Sequence, residues 1–490
     1  MTVTSPSRIM NQKTTHSVFL FSVGALLTLS VVALIEQNTH FNSDDFVTFY
    51  LARKRSFIEH TFTPIGVHVI PLQQACSYLI YKLFPLNFRV ALFVLLSFHV
   101  GTVLYLYRTL EALRATQLNQ VLLFVYAANV YFFAALGSWS PGIVRFPYIF
   151  FAVGSTYHWL QFRKSSGPRQ LLAVALFFLL GLGFYVKGLL IPAYLLGLEM
   201  CLLRETPRPQ LLRNLGVLSA LALASVLLYQ FERVGVSARH TGLSLDLDYL
   251  KDLEKLSLSV FSHGLLTFVY LGHRTTTDYV VGSVWTLFFL YTVIMRPRNL
   301  LVWCVGLGLV ALNILAIGIS PRGSEYGLLL AFTHRYYFEL TFLAVVFLGL
   351  ILQDLPHPRL PAFLAKVGAR RAVSALGAIV IVGYALLSYS HAKELLGWGY
   401  AGNRQVKEYV DNLRTSIEDL DLDPSEGLAL VDGRVPRYVL GVHWGELGAY
   451  SRFLEIFDIS VSPPKEYAPL FRITENGKIE RVEGVQVAPP

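Results

Sequence analysis

Apolar runs long enough to cross a bilayer alternate with short polar joints along the first 390 residues of this 490-residue chain. The runs are continuous, not the short alternating segments of a membrane β-barrel. With lipid as solvent every spanning backbone group must bond within its own segment, so the runs predict helices. At about twenty residues per crossing the pattern predicts about eleven spans. They fall near 17–36, 88–107, 118–137, 143–162, 171–186, 189–203, 211–229, 279–295, 299–318, 336–353 and 372–389. The expected fold is an all-α polytopic membrane protein over residues 1–390, followed by a small soluble α/β domain over 391–490.

Three stretches break the pattern. Residues 37–87 are too polar to cross a bilayer yet rich in aromatics, with a short helix expected near 71–84. Leu245–Leu266 has apolar residues at helical spacing and predicts a helix lying on the membrane surface. In the tail, Gln405–Leu420 predicts an amphipathic helix. Leu428–Val431 predicts a buried strand ending at Asp432-Gly433, and further strands are expected near Phe453–Ile459 and Phe471–Val482. The first apolar run has no small-residue cleavage site after it and is expected to be a signal anchor.

Charge orients the array. Residues 391–490 hold 11 Lys and Arg against 16 Asp and Glu, whereas residues 1–390 hold 30 against 16. Every second joint of the apolar part collects the basic residues, among them Arg163-Lys164, Arg204 and Arg370-Arg371. Cytoplasmic joints carry such an excess, so the N-terminus is expected in the cytoplasm. The joint at Asp44, the turn at Lys187, the joint before Arg335 and the C-terminal domain then share the outer face of the cell's plasma (inner) membrane. The basic balance fits membrane topology and does not call for nucleic acid. Cys76, Cys201 and Cys304 are far apart in apolar stretches and have no metal-ligand spacing. No Walker A loop and no dinucleotide-binding glycine pattern is present.

Candidate chemistry concentrates in the first outer joint, with adjacent carboxylates Asp44 and Asp45, the basic cluster Arg53-Lys54-Arg55, and His68 and Pro71. Asp44-Asp45-Phe46, then His68-Val69-Ile70-Pro71, then Leu83-Phe84-Pro85-Leu86-Asn87-Phe88-Arg89 follow the first span in that order. Tyr185-Val186-Lys187-Gly188 with Pro192, and Thr333-His334-Arg335-Tyr336-Tyr337, come later. In this layout the chain resembles the GT-C superfamily of membrane glycosyltransferases. The nearest class is that of the protein O-mannosyltransferases and the lipid A aminoarabinose transferase. The carboxylate pair here is Asp-Asp where that class has Asp-Glu, and Ile70-Pro71 stands for a tandem proline.

The resemblance implies an enzyme that moves a sugar from a polyprenyl-phosphate-linked donor to an envelope acceptor: a glycan, a lipid or a protein. Asp44 would be the general base, taking the proton of the attacking hydroxyl. Asp45 would orient the acceptor or hold a metal; a divalent metal is possible, and no metal-ligand motif marks one. Lys187 and Arg335 would meet the donor phosphate, one as a point charge and the other bidentately. His68, Tyr336 and Arg89 would contact substrate, and Arg145, near Pro141, is a further candidate. The bland alternatives are specific. The Asp pair could be a solvated loop or a helix cap, and the cations could be side chains snorkelling to the membrane interface. Three rival functions are a transporter or flippase of lipid-linked glycans, a non-catalytic membrane scaffold, and an O-antigen polymerase or ligase. The last would rely on a large Arg-rich outer loop later in the chain, whereas the loop 230–278 has few Arg. A transporter would place its polar groups near the midplane of two repeated halves.

Overall fold

The computed structural model describes residues 6–64, 69–114, 117–203, 206–233, 275–318, 335–353, 367–398, 401–420, 428–431, 433–440, 448–459, 461–462 and 470–482. It is mostly helical, with four short strands among the described residues. Five helical segments there are long and apolar enough to cross a membrane: Val18–Asn38, Phe88–Leu113, Arg208–Tyr229, Asn299–Ala316 and Ala375–Glu394. Shorter apolar helices, such as Pro168–Phe184 and Phe338–Gln353, lie between them. The expected surface helix Leu245–Leu266 lies outside the described residues.

The first long helix, α1 (Pro6–Asn38), ends at the polar joint, which is itself helical. It contains α2 (Asp44–Lys54), α3 (Phe57–Phe62) and α4 (Pro71–Leu83). Asp44 and Asp45 are thus the first turn of a helix, where acidic side chains meet the positive end of the backbone dipole. Ser56 caps α3 by accepting the Glu59 N–H, and Pro71 opens α4 where no helical N–H is needed. The expected span 118–137 is divided into α6 (Gln117–Ala127) and α7 (Val130–Leu136), after α5 (Phe88–Arg114). Asn129 accounts for the break. Its side chain accepts the Tyr131 N–H at 2.8 Å, an N-cap bond that competes with continuing the helix.

The centre of the bundle is α8 (Trp139–Ser165), which packs along both α5 and α9 (Pro168–Phe184). Trp139-Ser140-Pro141 forms the first turn of α8, and Trp139 is fully buried. After α9 come a 3₁₀ turn (Val186–Leu190) and then α10 (Ile191–Cys201) and α11 (Arg208–Arg233). Next are α12 (Thr275–Met295), α13 (Asn299–Gly318), α14 (Arg335–Gln353) and α15 (Val367–Trp398). Helix α14 packs against α5, α6, α7, α8 and α13, and its residues from Phe338 to Ile351 are buried throughout. One buried polar cluster fastens α8, α10 and α11 together. Glu199 accepts from Trp159 Nε1 at 3.2 Å and Asn214 Nδ2 at 3.1 Å, and pairs with Arg163 Nε at 2.9 Å.

The tail begins with α16 (Ala401–Asp419), whose Val406, Tyr409, Val410 and Leu413 recur at helical spacing and are buried. Strand β1 (Leu428–Ala429) pairs in parallel with β2 (Val461–Ser462). Strands β3 (Phe471–Ile473) and β4 (Ile479–Arg481) form an antiparallel hairpin. The hairpin rests on α16, with Ser416 Oγ accepting the Ile479 N–H at 3.2 Å. Between the strands lie α17 (Arg437–Leu440) and α18 (Tyr450–Leu454), with a 3₁₀ turn at Glu455–Phe457. The strand expected near Phe453–Ile459 is therefore helical. Tyr450, Phe453 and Leu454 are the buried set, and that i, i+3, i+4 spacing is the signature of a helix.

Candidate functional site

The two adjacent carboxylates differ completely in environment. Asp44 is exposed, whereas Asp45 is 1% exposed. Asp45 Oδ1 accepts the Ser140 N–H at 2.8 Å, and Oδ2 accepts the Asn42 N–H at 3.1 Å. Ser140 stands in the first turn of α8, and the N-cap residue of that helix, Ser138, makes no capping bond with its side chain. Asp45 therefore caps α8 from a distance, satisfying one of the N–H groups a helix start leaves orphaned. Burial pushes its carboxyl up from the ordinary aspartate range to about 7. The hydrogen bonds from Ser140 and Asn42 pull the other way, and the charge of Asp44 adds to the rise.

Helix α4 closes the same corner. Trp139 Nε1 donates to Ser77 Oγ at 3.1 Å, and Gln73 Nε2 donates to Ser77 Oγ at 3.5 Å. Gln73, Gln74 and Ser77 are all buried in the contact of α4 with its neighbours. His40, just before α2, is also buried, and desolvation lowers its pKa to about 4, with Arg414 of the tail adding to the drop.

Arg145 lies five residues along α8 from Ser140. It is 4% exposed, and its Nε sits 2.6 Å from Glu339 Oε1. Lys187, 7% exposed, pairs with the other oxygen, Oε2, of the same carboxylate. Two cations from different parts of the chain thus converge on one fully buried carboxylate of α14. Tyr185 lies beside both cations, at 5.7 Å from ring centre to each. A hydroxyl chain runs alongside, with Tyr148 and Tyr194 sharing a hydrogen bond at 2.7 Å and Tyr194 donating to Asn313 Oδ1 at 3.0 Å.

The local sequence explains where Lys187 sits. Tyr185 ends α9 in an extended conformation, and the chain folds back at once as a 3₁₀ turn. A Cβ on Gly188 would lie 2.5 Å from the Leu182 nitrogen and 2.6 Å from its Cα. The turn therefore touches α9 backbone to backbone, an approach only glycine permits. Pro192 is accommodated at the start of α10, where its missing N–H costs no helical bond.

The remaining sequence candidates fall in several places. Arg335 and Tyr336 stand in the first turn of α14, one helical turn ahead of Glu339. His68 lies outside the described residues. Arg89 is 79% exposed at the start of α5 and pairs with Glu36 of α1, apart from the buried cations. Arg53 and Lys54 pair with Asp458 and Glu455 of the tail. Asp45 is buried with each of its oxygens accepting a backbone N–H, whereas Asp44 is the exposed carboxylate of the pair. Among the described residues no group of three or more His, Cys, Asp or Glu converges as a metal site.

Glu339 is the residue that sequence reading missed. Its signal was present: a single acid inside an apolar run, four residues after an arginine, and ionisable residues in such runs are rarely idle. Comparison with protein-family models and with curated proteins returns no match.

Proposed function

We propose that this chain is an integral-membrane glycosyltransferase of GT-C type. It transfers a hexosyl or pentosyl group from a polyprenyl-phosphate donor to a glycan, lipid or protein acceptor of the cell envelope. The observation that carries the reading is the span of α8 between two chemical elements. Asp45 is bound at Ser140 and the Arg145–Glu339–Lys187 cluster begins five residues on, a separation of roughly 7.5 Å along the helix axis. The turn of α2 that carries Asp44, and the cations for a phosphate leaving group, are then both held against neighbouring turns of one helix, α8.

In this reading Asp44, the exposed member of the pair, takes the proton from the acceptor hydroxyl as its oxygen attacks the anomeric carbon. The bond from that carbon to the donor phosphate oxygen breaks, and the lipid phosphate leaves with its charge. Lys187 and Arg145 stabilise that charge, with Arg335 one turn before Glu339 as a further donor. Asp45 positions α2 against α8. The displacement is single and inverts the anomeric centre, as the resemblance implies. About eleven spans, a cytoplasmic N-terminus and an extracytoplasmic C-terminal domain complete the proposal.

A transporter of lipid-linked glycans is the second reading, favoured by the buried Arg145–Glu339–Lys187 cluster itself, since ionisable groups in such places also mark substrate pathways. One experiment separates the two. Envelope glycans and lipid-linked sugars are measured by mass spectrometry in cells with and without the gene. A lost glycan with donor lipid accumulating on the outer side supports the transferase. Donor lipid retained on the inner side supports the transporter and contradicts the transferase.

A further inference from the structure

Ser43, the residue immediately before Asp44, has φ 32° and ψ −102°. A non-glycine residue on that side of the map is strained, and such strain persists only where surrounding contacts hold it. The contacts come from the far end of the chain. The Ser43 N–H donates to the Val439 carbonyl at 2.9 Å, and its hydroxyl donates to the Leu440 carbonyl at 3.2 Å. Ser43 is also the N-cap position of α2 but makes no capping bond with its side chain, because its hydroxyl is turned to α17.

The other end of α2 is held as well. Arg53 pairs with Asp458, and Lys54 pairs with Glu455. In the middle, Phe46 packs edge to face on Phe453 with ring centres 5.2 Å apart. The C-terminal region therefore grips α2 at its N-cap, its buried face and its last turn.

We propose that the C-terminal region is a clasp that sets the position of α2 and of its leading carboxylate Asp44, with Ser43 as the positioning residue through which it acts. The proposal rests on the reading of Asp44 as the base. The strained Ser43 backbone fixes where the first turn of α2 begins, and hence where the Asp44 carboxylate stands relative to α8. Asp45 ties the same turn to Ser140 from the opposite side. With the clasp released, Ser43 can relax toward negative φ, and the first turn of α2 is free to reorient.

The test uses the full chain in lipid nanodiscs and two readouts. Amide hydrogen exchange over residues 43–54 reports the clasp without reference to any activity; kcat and KM of sugar transfer report its use. Ser43→Pro removes the N–H and forbids positive φ, whereas Ser43→Gly keeps the N–H and tolerates it. We expect exchange over α2 to rise at least tenfold in Ser43→Pro, with kcat lowered about tenfold and KM within twofold, and Ser43→Gly to stay within threefold of wild type in both readouts. A second pair guards against misfolding of the proline variant. Lys54→Glu and Glu455→Lys each loosen α2 and lower kcat, and combining them restores both. Unchanged exchange in Ser43→Pro and in the charge variants overturns the clasp. Loosened exchange with unchanged kcat overturns its positioning role. Loosened exchange in a chain whose wild type transfers no sugar upholds the clasp and removes the transferase reading instead.

Discussion

Asp45 and Ser140 are joined by a hydrogen bond of 2.8 Å between a carboxylate oxygen and a backbone N–H, across 95 residues of sequence. This bond ties the helix that follows the first apolar segment to the helix at the centre of the bundle. It gives the buried member of the Asp pair a structural duty and leaves the other exposed to solvent.

The buried duty has a pH signature. The Asp45 carboxyl is raised from the ordinary value of 3.8 to about 7. Between those values the folded chain holds a proton that the unfolded chain has released, so stability falls as pH rises. The stability from this group is present in full below about pH 4 and is gone once pH has passed about 7. The thermal midpoint of the purified protein should therefore drop from pH 5 to pH 8, and Asp45→Asn should flatten that slope while retaining an acceptor for Ser140. Asp45→Ala should flatten it as well and lose roughly 1–2 kcal/mol with the cap. An unchanged slope in Asp45→Asn would assign the pH dependence to other groups.

Gly188→Ala tests the turn that carries Lys187. The added methyl would collide with the backbone of Leu182, which cannot swing aside as a side-chain tip can. We expect a destabilisation of roughly 1–3 kcal/mol as the turn is pushed off α9. Sugar transfer should fall at least tenfold, because Lys187 moves with the turn. Calorimetry and the transfer assay check the two effects separately; wild-type behaviour in both would mean that the turn does not need this close approach.

Removing the carboxylate shared by Arg145 and Lys187 should be costly. Glu339→Gln keeps the shape but strips the charge from between two buried cations, and breaking such a cluster costs roughly 3–5 kcal/mol. If the cations also bind a phosphate, added polyprenyl phosphate should restore part of the thermal stability of Glu339→Gln, with a larger midpoint shift than in wild type. A shift equal to that of wild type would count against a phosphate seat at Arg145 and Lys187.

Much of this architecture was legible before any coordinates. Continuous apolar runs marked the helices because lipid leaves the backbone no other partner. The short helix expected near 71–84 is found at Pro71–Leu83, opening on a proline because proline is tolerated at a helix start. The break at Asn129 was not read, since a local capping bond overrides an apolar run without altering its hydropathy. Phe453–Ile459 reads as a strand in sequence yet falls in the helix Tyr450–Leu454 and the 3₁₀ turn after it, because a short apolar cluster fits either period until burial selects one. At the site, adjacency singled out Asp44 and Asp45, but the division between them depends on Ser140 and Asn42. The cluster around Glu339 joins residues 145, 187 and 339, and only the packing of α8, the 3₁₀ turn and α14 brings them together. Ser43 carried no sequence signal, because its strain comes from contacts with Val439 and Leu440.

The most direct measurement is the rate of sugar transfer by purified protein in nanodiscs, from an envelope polyprenyl-phosphate-sugar pool to envelope acceptor, for wild type and Asp44→Asn at equal folded amounts. The account predicts transfer by wild type, a loss in kcat of at least a hundredfold in Asp44→Asn, and a thermal midpoint in that variant unchanged from wild type. Transfer by Asp44→Asn at the wild-type rate would contradict the assignment of Asp44 as the base. Absence of transfer by wild type, with the same pool being moved across a sealed bilayer, would contradict the transferase itself.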